Sequence, residues 1–221
     1  MTDRRCLMTF DPGRRTGWSM WHQGLEKPRA GVVDMPDTKD IGIWSNAFRE
    51  WALPFMRMAE VTDVASEAPI LAVHHKEDDN GAPVGRGHID LTVVVFHVGI
   101  LVTIEQVRAE LGLPPVRRYV RSSVAKHFTG SGKGKRVELK SRFIVACQRQ
   151  GWNVTDENMA DACGVLDIFC YDLDQATPWD CSPRKPLFED SRPKMPTQAE
   201  KVASAKLINK ALSFNARRTG T

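Results

Sequence analysis

The 221-residue chain has no run of about 18 uninterrupted apolar residues, and its opening, MTDRRCLMTF, lacks the long apolar region of a secretory leader. Both absences point to a cytoplasmic protein with no membrane partner. The five cysteines, Cys6, Cys147, Cys163, Cys170 and Cys181, are odd in number and contain no Cys-x-x-Cys pair. That argues against a disulfide framework and a structural zinc site, and makes buried thiols the expectation. No internal repeat is present. The hydrophobic share of 42% and charged share of 26% are those of ordinary soluble proteins, which excludes a wholly disordered or fibrous chain. The length suits one well-buried domain with a tail and is too short for two large domains.

Net charge is only +4, but it is unevenly spread. Residues 117–149 hold ten Lys/Arg against the single acid Glu138, and residues 177–221 hold nine against four. The remainder carries twelve bases and twenty-two acids. Such segregation suits a nucleic-acid channel beside an acidic metal site, although a solvated basic face without a partner would look the same in sequence.

Cys6 to Asp11 reads as a short strand that delivers an acid into the Pro12-Gly13 turn. Strands over 17–21 and 30–35 complete an antiparallel meander. Trp44, Phe48, Trp51 and Phe55 recur at helical spacing and predict a core-facing helix over 41–58, with Pro54 ending or offsetting its second half. Residues 62–69 read as a fourth strand carrying Glu67. Residues 74–87, rich in charge and glycine, read as an exposed mobile loop, and the His74–His75 pair within it as ordinary surface. A helix over 88–111, apolar on nearly every face, must be sandwiched, either inside the domain or against a second subunit as a homodimer. A fifth strand over 116–120, a short helix ending at Thr129, a Gly/Lys loop, a basic helix over 137–150 and a helix capped by Thr155 or Asp156 follow. The plan is an α/β fold with a five-stranded mixed sheet flanked by helices. The domain is expected over 1–176, with a Pro-rich basic linker and tail over 177–221.

Three acids, Asp11 on the first strand, Glu67 on the fourth and Asp161 in the last helix, lie where strand ends and a neighbouring helix could converge. Convergent carboxylates suit Mg²⁺, because hard divalent ions take oxygen ligands. Two such ions, with Mn²⁺ as a substitute, can activate a water and stabilise a leaving oxygen at phosphorus. Candidate nucleic-acid contacts are Arg14 and Arg15 in the first turn and Lys126, Lys133, Lys135, Arg136 and Lys140 in the basic segment.

The segments Asp11-Pro-Gly-Arg-Arg-Thr-Gly17, Val64-Ala-Ser-Glu67-Ala-Pro and Asn158-Met-Ala-Asp161-Ala162 stand in one order along the chain. In that order and at roughly that spacing they resemble the RuvC-type Holliday-junction resolvases of the ribonuclease H-like superfamily, over residues 6–172. The resemblance implies a ribonuclease H-like fold and a metal-dependent endonuclease that makes paired nicks in four-way DNA junctions, of a bacterial or bacteriophage type. It implies Asp11, Glu67, Asp161 and Asn158 as catalytic and metal-binding residues, with Asp156 as the alternative to Asn158. Lys126 and Lys140 fall where the family places lysines important for cleavage and phosphate binding. Two departures matter. Asn158 stands where Asp or His is usual and cannot act as a base, and Ile70 stands where some members carry a stacking aromatic. Flap or RNA–DNA hybrid cleavage by the same fold, and branched-DNA binding without catalysis, are the competing expectations.

Overall fold

The computed structural model describes residues 4–69, 73–77, 83–89, 91–134 and 136–183, without the side chains of 73–77, 83–89 and Arg136. Expectations for Ile70, the His74 and His75 side chains, Lys135, the Arg136 side chain and residues 184–221 lie outside the described parts.

The elements run β1 (Cys6–Asp11), β2 (Arg15–His22), β3 (Arg29–Asp34), α1 (Ile41–Met58), β4 (Asp63–Glu67), β5 (Val73–Glu77), β6 (Pro83–Ile89), α2 (Leu91–Glu110), β7 (Arg117–Tyr119), α3 (Arg121–Thr129), α4 (Arg136–Arg149) and α5 (Glu157–Asp172). The main sheet is five-stranded in the order β3-β2-β1-β4-β7. The meander β1–β3 is antiparallel, whereas β4 and β7 run parallel to β1. The expected mixed α/β sheet is present.

Both faces of β1 are buried because helices cover both sides of the sheet. Met8 and Phe10 join Met20 and Val64 on the side of α1 and α2. Leu7, Trp21 and Ala65 face α3, α4 and α5. On that second face the sheet also presents hydroxyls: Thr9 Oγ1 and Ser19 Oγ both reach the Ala162 carbonyl of α5, at 2.8 and 3.1 Å. These buried polar contacts fix α5 across the centre of the sheet, where an unpaired hydroxyl would be costly.

Two expectations are corrected. Helix α1 runs through Pro54 without ending. Trp44, Phe48, Ala52 and Met56, four apart, bury one continuous face, and this outweighs the loss of a single N–H donor. Trp51 and Phe55 pack on Trp18 of β2. The stretch expected as a loop contains the antiparallel pair β5–β6, with an irregular register between His74 and Lys76. Backbone pairing there overrides a loop-like composition. Trp179 packs into the core on the α5 side of the sheet: its ring meets Trp21 and Trp152 edge-on, and its Nε1 donates to buried Asp167 at 3.1 Å.

Helix α2 is long and apolar enough, by length and composition, to cross a membrane. One side packs into the core through Phe96, Ile100, Ile104 and Val107. The approach to α1 is tight, since a Cβ at Gly99 would overlap the Ile41 side chain. The other side leaves Leu91, Val95, Val98 and Val102 exposed in a stripe at spacings of four, three and four.

Candidate active site

The pairing of β1 with β4 runs to Phe10–Ser66, so Asp11 and Glu67 follow as side-by-side terminal residues on the same face of adjacent parallel strands. Glu67 in turn pairs with Tyr119 of β7, two residues before Arg121 opens α3. Three strands therefore deliver their carboxyl ends to one place, the usual site of ligand binding in open α/β sheets.

Helix α5 supplies the third acid from above. Its start is set by Asp156, whose Oδ1 accepts from the Asn158 and Met159 amides at 2.8 and 3.3 Å. Gly17, the partner of Asp11 in the β1–β2 register, lies directly beneath Asn158. A Cβ at that position would collide with the Asn158 carbonyl, so only glycine lets the helix sit this close to the sheet. Asn158 and Asp161, three apart, share one face of α5.

The electrostatics follow from this convergence. Burial, then the charges of Glu67 and Asp161, push the Asp11 carboxyl well above the ordinary range, while Arg121 and Lys140 pull it back. Asp161 is likewise raised by burial against the opposing pull of Arg121 and Lys140. Three carboxylates and two cations thus occupy one small region.

Arg121 is the residue that sequence reasoning missed. Its Nη1 lies 3.2 Å from Glu67 Oε2 and its Nη2 2.9 Å from Asp161 Oδ2. Burial alone would lower its pKa, but Glu67 and Asp161 more than reverse this and hold the guanidinium charged. Among ten bases in 117–149 nothing marks this one, except that it immediately follows a strand that ends beside Glu67. His97 of α2 is a second residue not anticipated. Its hydrogen bond to the Glu67 backbone opposes the burial that lowers its pKa, and its Nε2 is buried with no hydrogen-bond partner among the described residues.

The other candidates divide. Lys140 comes to the site and pairs with Glu157 at the start of α5. Asp156 caps α5 through Oδ1, while its Oδ2 pairs with Arg15 at 3.2 Å. Arg15 also pairs with Asp34 at 2.9 Å, and Arg14 pairs with Asp37; both arginines are largely exposed at the rim. Lys126 and Lys133 are exposed.

Does this set suit a divalent cation? Among the described residues no three Cys, His, Asp or Glu side chains form a ready-made cage, and a guanidinium stands between two of the acids. Yet Asp161 Oδ1 is buried with no hydrogen-bond partner among the described residues. A buried anionic oxygen in that condition, beside two further carboxylates, suits a hard cation.

No family model and no curated protein matches the sequence. Among solved structures the chain is similar to Thermus thermophilus RuvC in complex with a Holliday junction substrate, with a TM-score of 0.54 and 16% identity over 79% of this chain and 99% of that one. Against a second Thermus thermophilus RuvC structure the TM-score is 0.50 and the identity 17%, with the same coverage. The yeast mitochondrial Holliday junction resolvase Ydc2 aligns at a TM-score of 0.42 and 10% identity, over 72% of this chain and 76% of that one. The two RuvC likenesses show that the chain has the RuvC fold, a ribonuclease H-like arrangement.

Proposed function

We propose that this protein is a divalent-metal-dependent DNA endonuclease acting on branched substrates, with the four-way junction as its preferred target. The observation that carries the reading is the convergence of Asp11, Glu67 and Asp161 at the ends of adjacent strands and a crossing helix, with one Asp161 oxygen buried and without a hydrogen-bond partner among the described residues. The RuvC fold, including a neighbour bound to a Holliday junction, supports the substrate.

Asp11, Glu67 and Asp161, with the Asn158 amide, would hold Mg²⁺ or Mn²⁺. When bound, such ions lower the pKa of water and stabilise charge on the leaving oxygen. Asn158 can ligate or orient water but cannot remove its proton. Lys140, beside the acids, would contact a non-bridging phosphate oxygen and offset its developing charge. Exposed Lys126 and Lys133, with Arg14 and Arg15 at the rim, would bind the strand by its phosphates without reading sequence.

A homodimer fits the reading. The stripe Leu91, Val95, Val98 and Val102 has the periodicity of a helix-pairing seam, and a two-fold partner would set two sites for paired incisions.

A second reading, branched-DNA binding without cleavage, draws on the Arg121 ion pairs, which neutralise part of the acid cluster without metal. One experiment separates the two. Four-way junction, flap, duplex and RNA–DNA hybrid are offered with Mg²⁺ or Mn²⁺ to wild type, Asp11→Asn and Asp161→Asn. Junction nicking by wild type alone is expected. Strong preference for the hybrid would overturn the substrate, equal nicking by all three proteins would overturn the site, and binding without any nicking would favour the second reading.

A further inference from the structure

We infer that the Arg121 guanidinium is a resident counter-ion of the acidic site, and that a divalent cation takes its full place there only by displacing it from Glu67 and Asp161. The inference rests on the metal-dependent reading above and adds a competitor to it.

The geometry is specific. Arg121 spans two carboxylates from different elements: Nη1 lies 3.2 and 3.4 Å from the Glu67 oxygens, and Nη2 lies 2.9 Å from Asp161 Oδ2. Its carbon centre stands 5.9 Å from the Phe143 ring, which backs the guanidinium with an aromatic face. The side chain is 21% exposed, whereas those of Glu67 and Asp161 are 4% and 2% exposed. The guanidinium therefore lies on the outer side of the two acids.

Those same oxygens are the ones a divalent ion needs. A fixed +1 fork between the carboxylates repels a +2 ion and occupies three of their four oxygens, leaving Asp161 Oδ1 without a hydrogen-bond partner among the described residues. Asp11 accepts no hydrogen bond from Arg121 and senses it only through charge. Asp11 and Asp161 Oδ1 are thus the acidic groups that the guanidinium leaves unengaged, and Glu67 with Asp161 Oδ2 are those that Arg121 guards. The same contact would hold the site together in the absence of metal, since without it buried like charges would face each other.

Linkage makes the device measurable. If the guanidinium and the ion exclude each other, removing the guanidinium must tighten metal binding and weaken the metal-free fold. The full-length protein is titrated with Mn²⁺ by calorimetry and by the EPR signal of free Mn²⁺, without DNA, as wild type, Arg121→Met, Arg121→Lys and Asp161→Asn. Tightening on the order of tenfold is expected for Arg121→Met. A smaller tightening is expected for Arg121→Lys, whose ammonium cannot bridge both acids as a planar fork. Arg121→Met should also unfold at lower temperature than wild type without metal and recover with Mn²⁺. If Arg121→Met does not fold, Arg121→Lys alone decides. Unchanged or weaker Mn²⁺ binding in the Arg121 variants, with binding lost in Asp161→Asn, overturns the inference and leaves the nuclease reading intact. No Mn²⁺ binding by any protein, with no nicking by wild type, overturns both.

Discussion

Adding one methyl group at Gly17 tests whether the approach of α5 to the sheet sets the site. A Cβ there would lie against the carbonyl carbon and oxygen of Asn158, both backbone atoms, far inside ordinary contact. Restoring the ~3.5 Å of normal packing requires a shift of more than about 1 Å. Neither partner yields easily: Gly17 is paired to Asp11 on one side and Val32 on the other, and α5 is held by the Thr9 and Ser19 hydroxyls. Overpacking of this kind costs about 1–3 kcal/mol. For a domain of this size that corresponds to roughly 2–12 °C in Tm. The larger effect is on chemistry, because lifting the first turn of α5 moves Asn158 and Asp161 away from Asp11. A misplacement of about 1 Å costs on the order of 100-fold in rate. Gly17→Ala should therefore bind junction DNA close to normally, nick it about two orders of magnitude more slowly and melt a few degrees lower. Wild-type nicking and Tm in this variant would refute the reasoning, because the helix would then not depend on the missing side chain.

Asp11 should show opposite effects on stability and activity. Its carboxyl is raised in the fold, so its contribution to stability is present in acid, below the unfolded value, and is lost as pH rises through the raised one. Metal-free Asp11→Asn should therefore lose less stability than wild type from about pH 4 to neutrality, while nicking disappears; parallel urea-denaturation midpoints across that window would contradict this. Val98→Glu, in the exposed stripe of α2, should give a monomer by sedimentation equilibrium, and an unchanged mass would remove the proposed seam. Trp179→Ala removes an aromatic wedged between Trp21 and Trp152 and deprives buried Asp167 of a donor. A loss of about 3–5 kcal/mol is expected in chemical denaturation, and a loss below about 1 kcal/mol would place residues 177–183 outside the cooperative domain.

The features that sequence reveals here are those carried by short-range pattern. The meander, α1, α2 and the Asp156 cap of α5 follow from alternation, periodicity and capping chemistry, each a matter of a few neighbouring residues. Asp11, Glu67 and Asp161 were legible because each sits in a local segment whose order and spacing resemble a known family. Pro54 misled because propensity weighs one lost hydrogen bond and cannot see the core that both halves of α1 share. The β5–β6 pair was hidden because strand pairing depends on its partner more than on composition.

Taken alone, the sequence determined the strands of the main sheet, the helices around it and three acids that merit attention, because these are written in local periodicity and motif. Only the tertiary structure decided what surrounds those acids. Arg121 stands 54 residues from Glu67 and 40 from Asp161, and it becomes their partner only when β7 pairs with β4 and α5 crosses the sheet. The same packing turned Asp156 into a cap paired with Arg15 and drew Trp179 into the core. Charge pairing acts through a few ångströms of space, and that proximity exists only once the chain has folded.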